Sequence, residues 1–198
     1  MLTRDDLPDE IRTARTVVRK AGDGDLPAIE AWPPYPGWQY ACFDMTGPPA
    51  RSRNGEYWWR KIDLPDRCHY SVVLRDTREI IGLHAFVRID WKTPAVDNMG
   101  IRIRSDLCGQ GFGTETLAPL LHAVLEAGMK SVRLDVAAAN GRAIACYRKC
   151  GMRVTEEFWR EHRGEMPRLD DPRWTFAAPH LREEDGKWMT RFFFMEIP

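Results

Sequence analysis

The chain is 198 residues long, enough to bury one sizeable core, and it is expected to form a single domain over 1–198. Lys and Arg number 29, as do Asp and Glu, so the formal net charge is zero, which argues against a broad nucleic-acid footprint, a local basic patch aside. No apolar run is long enough to span a bilayer, the charged stretch 1–12 lacks the apolar region of a signal peptide, and five scattered cysteines suit a reducing cytoplasm.

In chain order, Arg-Thr-Val-Val-Arg-Lys at 15–20 predicts a first strand. Gly22-Asp23-Gly24-Asp25 is a turn, with Asp25 as N-cap and Pro27 in the first turn of a helix. Residues 32–56 are rich in Pro, Gly and aromatics (Trp32, Tyr35, Trp38, Tyr40, Phe43) and predict turns, and 56–62, with Tyr57, Trp58 and Trp59, predicts a short helix. Tyr70, Val72 and Leu74 alternate, 76–79 turns, and 80–90 runs extended, which makes a hairpin. Met99, Ile101 and Ile103 alternate with Gly100, Arg102 and Arg104 in the next strand. Leu117, Leu120, Leu121, Val124 and Leu125 then mark one face of a helix, which Pro119 should bend near its first turn. Val132, Leu134 and Val136 form a fifth strand; Asn140 sits at an N-cap and Gly151 at the C′ end of a second amphipathic helix. Residues 152–158 predict a sixth strand, 159–187 a long polar connection, and 188–197 a final strand.

Between the 99–104 strand and the following helix stand Gly109, Gly111 and Gly113. Glycines let successive N–H groups point one way, and a helix N-terminus adds partial positive charge, so the turn suits phosphate or pyrophosphate. The bland alternative is a turn that merely joins two elements. The dinucleotide fingerprint needs G-x-G-x-x-G, whereas this turn reads G-x-G-x-G, and the Gly-Lys-Ser/Thr of a P-loop is absent. The segment resembles the acetyl-CoA pyrophosphate loop of the GNAT superfamily of N-acetyltransferases. Cys108 stands where that loop usually has Arg or Gln. The run Gly-Gln-Gly-Phe-Gly-Thr-Glu at 109–115, with Arg-Thr-Ala-Arg-Thr-Val-Val-Arg at 12–19, is most similar to the branch of the ribosomal-protein N-terminal acetyltransferases RimJ and RimL.

A second stretch strengthens the resemblance. Asn-Gly-Arg-Ala-Ile-Ala-Cys-Tyr-Arg-Lys-Cys-Gly-Met at 140–152 fills every fixed position of the second GNAT signature, N-x-x-A-x-x-x-Y-x-K-x-G-F/M. The resemblance covers nearly the whole chain and implies an α/β (α+β) fold: a mixed, mostly antiparallel sheet of about seven strands with helices on both faces. It implies acetyl-CoA as cosubstrate, with CoA as product, and direct attack by an amine in a ternary complex. Tyr147 is implied as the catalytic acid that protonates the departing thiolate. Ile101, Ile103, Cys108, Gly109, Gln110, Gly111, Phe112, Gly113, Thr114 and Asn140 are implied to bind the cofactor. Backbone N–H groups of the 99–104 strand would meet the thioester oxygen. Alternatively, Asn140 only caps its helix and Tyr147 only packs.

The general base is not assigned: His84, Asp90, Glu156 and Glu157 are candidates. No metal is expected, since Cys146 and Cys150 lie four apart without two further ligands and predict a packed helix face. The aromatic segment 32–59 and the acidic loop 156–185 would flank the acetyl group and choose the substrate, or else be plain sheet cover and solvated charge. The expected partner is an amine, either a protein N-terminus or a small molecule such as an aminoglycoside, polyamine or amino acid. Membrane and direct nucleic-acid partners are not expected, and a homodimer is left open. A non-catalytic acyl-CoA sensor on the same scaffold is the competing class.

Overall fold

Alternating and β-branched stretches become strands wherever the sequence predicts them, and two further strands join. In the computed structural model, which describes residues 2–35, 62, 64–163 and 166–198, the elements are β1 (Glu10–Arg12), β2 (Thr16–Lys20), α1 (Leu26–Glu30), β3 (Arg67–Leu74), β4 (Ile80–Asp90), β5 (Ala95–Ile103), α2 (Phe112–Glu126), β6 (Ser131–Ala137), α3 (Gly141–Lys149), β7 (Arg153–Glu161), β8 (Leu181–Glu184) and β9 (Lys187–Ile197). They form one nine-stranded sheet in the order β1-β2-β3-β4-β5-β6-β9-β7, with β8 also paired to β9. The two strands beyond the expected seven are short: β1 pairs with β2, and β8 closes a hairpin with β9. Every pairing is antiparallel except β5 with β6. Six consecutive residues of β3, Cys68 to Val73, are buried, so both faces of the sheet centre are covered.

Asp25 starts α1 but makes no cap bond to it; its carboxylate instead takes Arg19 (2.6 Å), Ser71 Oγ (2.6 Å) and the Gly22 N–H (3.2 Å). Leu117, Leu120, Leu121 and Val124 of α2 are buried as their spacing predicts. The helix runs unbroken through Pro119, which lies two turns in rather than near the first turn, because α2 already starts at Phe112. The predicted 56–62 helix lies outside the described residues except for Ile62, which is buried, as does most of the aromatic segment; Trp32 Nε1 donates to the Ile80 carbonyl at 2.9 Å. No helix among the described residues is long and apolar enough to cross a membrane.

The polar connection expected over 159–187 is largely folded. Strand β7 extends to Glu161, short 3-10 turns form at Pro172–Trp174 and Ala178–His180, and β8 follows. Two forces organise it. Trp174 is fully buried with Ala177 against Ala139 and Leu181. Asp185 (φ 51°) and Gly186 (φ 72°) both adopt positive φ, the geometry of a two-residue hairpin turn.

One irregularity positions the site. Strands β5 and β6 pair only at Ala95–Ser131 and Val96–Val132. Beyond that β5 stays on β4 while β6 turns its other edge to β9, pairing 132–137 with 192–197. The two parallel strands therefore part, and a wedge opens in the middle of the sheet.

Candidate active site

The wedge leads into a cleft of about 730 Å³. Its walls are β5, the glycine turn with the first turn of α2, the ends of β6 and β7, and the face of α3 that carries Asn140, Cys146 and Tyr147.

Strand β5 offers main chain to this space. The Arg104 N–H donates to the Ile81 carbonyl at 2.7 Å, on the β4 side. Peptide groups alternate sides along a strand, so those of Met99, Ile101 and Ile103 face the cleft. The Ile103 carbonyl accepts there from the Tyr35 hydroxyl and from Cys108 Sγ at 3.6 Å. Ile101 and Ile103 thus line the cleft, and Tyr35 is an added neighbour.

The glycine turn continues this wall. Gly109 (φ 82°) and Gly111 (φ 85°) take the left-handed conformation that side chains resist, and Gly111 caps α2 directly. The first N–H groups of α2 have no acceptor within the helix. At Gly113 a Cβ would lie 3.2 Å from Cys146 Sγ and 3.5 Å from Ile101 Cδ1, so the glycine lets α2 sit tightly against α3 and β5. Arg142 and Lys149 of α3 add positive charge to the lining. Bare main chain, a helix N-terminus and two cations fit a pyrophosphate with a phosphorylated tail.

The remaining predicted residues take varied places. Burial pushes the Cys108 thiol up, so it is a neutral donor where the family usually has a longer polar side chain. Phe112 and Thr114 line the cleft, and Thr114 Oγ1 donates to Cys146 Sγ at 3.5 Å. Gln110 does not: its amide bonds the Asp106 carbonyl at 3.2 Å. Asn140 Oδ1 accepts from the Ala143 N–H at 3.2 Å, so it caps α3 while it also lines the cleft. Tyr147 is 7 % exposed and faces the same space. Burial, reinforced by Cys146, Cys150 and Asp135, pushes its hydroxyl far up, so it holds its proton.

Of the four candidates for a base, none lines the cleft. His84 is buried and bonds Thr116 Oγ1 through Nε2 (2.9 Å); burial pushes it down to about 3, which keeps it neutral. Asp90 closes the turn after β4 through Thr93 Oγ1 (2.7 Å) and the Lys92 N–H (2.8 Å). Glu156 and Glu157 lie on β7 beside Arg133 and Arg191, at 3.8 and 3.7 Å. Among the described residues, no three His, Cys, Asp or Glu side chains are placed to hold a metal.

Sequence reasoning missed two features. At the far end of the cleft, Arg160 Nη1 donates to Asp135 Oδ2 (2.9 Å) across β9, its guanidinium 4.5 Å from the Phe192 ring centre, and His162 and Thr190 stand beside them. Behind the glycine turn, Glu115 accepts from Thr13 Oγ1 (2.6 Å), the Arg15 N–H (3.0 Å) and Arg15 Nε (2.7 Å). Arg15 also donates to the Gln110 carbonyl (3.1 Å) and lies 3.9 Å over the Phe112 ring. An acidic residue in the first turn of α2 was the available signal for the second feature.

The model of the acetyltransferase (GNAT) domain family matches residues 15–153. No curated protein matches the chain in sequence. Among solved structures, spermidine N-acetyltransferase from Vibrio cholerae in complex with CoA and spermine superposes with a TM-score of 0.66 at 16 % identity, over 93 % of this chain and 95 % of that one. A chimera of the Vibrio cholerae spermidine N-acetyltransferase SpeG and hSSAT gives 0.65 at 18 % identity, with the same coverage. A GNAT-family acetyltransferase from Bacillus anthracis gives 0.59 at 14 %, over 95 % of this chain and 97 % of that one. Identities this low speak to fold, and the fold agrees with the family match over well more than half the chain: it belongs to the GNAT family of acetyl-CoA-dependent N-acetyltransferases.

Proposed function

We propose that the cleft between β5 and β6 moves acetyl from acetyl-CoA to a primary amine by direct attack, with residues 1–198 working as one domain in the cytoplasm. The observation that carries this is the parting of β5 and β6 after Val96 and Val132, which aims the peptide groups of Met99, Ile101 and Ile103 into a cleft bounded by the glycine turn and Tyr147.

Acetyl-CoA supplies an activated acyl group and a thiolate leaving group; the chain supplies everything else. The main chain of Ile101 and Ile103 pairs with the amides of the pantetheine arm. The turn residues Cys108, Gly109, Gly111, Phe112, Gly113 and Thr114 hold the pyrophosphate, while Gln110, off the cleft, ties the turn to Asp106 and Arg15. A β5 N–H group stabilises charge on the thioester oxygen, a contribution of ~10²–10³-fold where one such donor has been removed elsewhere. Asn140 adds a polar contact to the arm, compatible with its cap. Tyr147, kept protonated by its surroundings, gives its proton to the departing sulfur.

For the amine, the motifs at 12–19 and 109–115 favour a protein N-terminus, as in the RimJ/RimL branch. A small amine is the second reading, supported by the spermidine N-acetyltransferases that share the fold. Two acids at the far end already have cations, Asp135 with Arg160 and Glu161 with Lys187 at 2.9 Å, which weakens the case for a polycation. An acetyl-CoA-coupled screen over peptides with free N-termini, polyamines, aminoglycosides and amino acids decides between them. Acetyl-CoA binding without thiol release for any amine would point to the sensor class instead.

A further inference from the structure

Transfer to an amine needs a place for a proton, because a primary amine is ammonium near neutral pH and its lone pair must be released before it attacks. The four proton acceptors that the sequence offered all lie away from the cleft. Among the described residues that line it, four other side chains can accept a proton: Asp135, Cys146, Glu161 and His162; Cys146 Sγ already accepts from Thr114 Oγ1 at 3.5 Å. Asp135 pairs with Arg160 at 2.9 Å and Glu161 with Lys187 at 2.9 Å, so each already has a cation at its carboxylate.

His162 differs in chemistry and in setting. It follows β7 directly, and its main-chain N–H bonds the Trp188 carbonyl at 2.7 Å, so its backbone is tied to β9. Its Nδ1 lies 2.7 Å from Thr190 Oγ1 on a largely buried residue of β9. Its ring meets fully buried Trp174 edge-on, at 5.9 Å between centres. A hydrogen bond and an aromatic wall thus fix the plane of a ring that lines the same cleft as Tyr147. The fixing elements are separate in sequence: β9 gives Thr190, and the Pro172–Trp174 turn gives Trp174. That arrangement orients an imidazole as a second group orients the base in other acid–base sites.

We infer that His162 is the general base of the reaction and Thr190 its positioning residue, an inference that rests on the acetyl-transfer reading. With Nδ1 hydrogen-bonded to Thr190 Oγ1, His162 takes a proton from the ammonium. The amine nitrogen then bonds the acetyl carbon as the carbon–sulfur bond breaks, and the proton of Tyr147 goes to sulfur. The second amine proton restores Tyr147, and His162 passes the first to solvent, so each cycle releases one proton. The charged and titratable groups around this end are Asp135 of β6, Cys146, Tyr147 and Lys149 of α3, Arg160, Glu161 and Arg163 on either side of His162, and Lys187 of β9 on Glu161. His180 stands on the neighbouring 3-10 turn.

The test is the pH profile of kcat/KM with the best amine from the screen, for the wild type, His162→Gln and Thr190→Val. Acetyl-CoA-induced thermal shifts are recorded on the same samples. His162→Gln is expected to lose about 10²-fold or more near pH 7. Its rate should climb with pH as solvent deprotonates the amine and approach the wild type above the amine's own titration, while the acetyl-CoA shift stays unchanged. Thr190→Val keeps the imidazole without its orienting bond and should show a smaller loss with the same curvature. A His162→Gln profile equal to the wild type, or a uniform loss at every pH, overturns the assignment. If His162→Gln does not fold, an unchanged Thr190→Val profile overturns it equally. If the wild type binds acetyl-CoA but acetylates no amine, the acetyl-transfer reading itself falls and takes the inference with it.

Discussion

At the end of the cleft where β5 runs toward α2, main chain forms the wall; at the end where β7 meets β9, polar side chains form it. The first end is nearly contiguous, from Met99 to Thr114, and depends on glycines at positive φ and a helix N-terminus. The second gathers Asp135, Arg160, His162, Trp174 and Thr190, which adjoin only because β9 inserts between β6 and β7. On the reading proposed above, the difference follows from two tasks. Gripping a polyanion needs N–H groups, which every residue carries, so a local turn suffices. Moving protons needs particular side chains at particular places, so residues from distant strands must converge.

If this division holds, damage at one end should spare the other. The largest effect is expected at Gly111, where φ is 85° and a Cβ would also lie 3.7 Å from Arg15 Nη2. Gly111→Val should abolish acetyl-CoA binding, and with it the stabilisation of about 2.7 kcal/mol that a ligand at 100 times its Kd confers. A thermal melt with millimolar acetyl-CoA checks this; a wild type that fails to shift contradicts the whole reading.

Tyr147→Phe should come next, with a loss of ~10²–10⁴-fold in kcat and little change in acetyl-CoA affinity. The ring and its packing remain, so only the proton donor is lost. Turnover at the wild-type rate, with chemistry shown to be rate-limiting, would make Tyr147 a packing residue.

The smallest effect lies behind the glycine turn. Burial alone would raise the pKa of Glu115, but bonds from Thr13 and Arg15 outweigh it and hold the carboxyl below its usual value. A depressed folded pKa adds stability above the unfolded value, about 4.3 for glutamate, and that gain disappears as pH falls through the folded value. Glu115→Gln should therefore cost about 1–3 kcal/mol near neutral pH. The gap to the wild type should close in acid, which urea titrations at several pH values will show. A gap that is independent of pH would mean the amide disrupts packing rather than a charge-assisted bond.

The same contrast explains what the sequence made legible. Gly109, Gly111 and Gly113 announce the turn that walls the cleft because a positive φ, at Gly109 and Gly111, and a close approach, at Gly113, favour glycine. Asn140 and Tyr147 share a helix face two turns apart, so spacing alone brought them together. Nothing local announced Asp135 or His162, since their roles depend on strand order, and His162 stood in a segment that looked like plain polar connection. Two signals in that segment went unused: Asp185-Gly186 marks a tight hairpin, and a Trp amid charge marks a small satellite core. The four candidate bases, His84, Asp90, Glu156 and Glu157, lie away from the cleft because alternation tells which residues share a face but not which side of the sheet opens.

The central claim is that the parted edge of β5 and the glycine turn together form the seat of acetyl-CoA, separate from the side-chain end. Amide hydrogen exchange with and without CoA tests it most directly. The account predicts slower exchange in peptides covering Met99, Ile101, Ile103 and 109–115, with the segment 162–181 unaltered. Protection that falls on 162–181 instead, or that leaves 99–103 untouched, would contradict it.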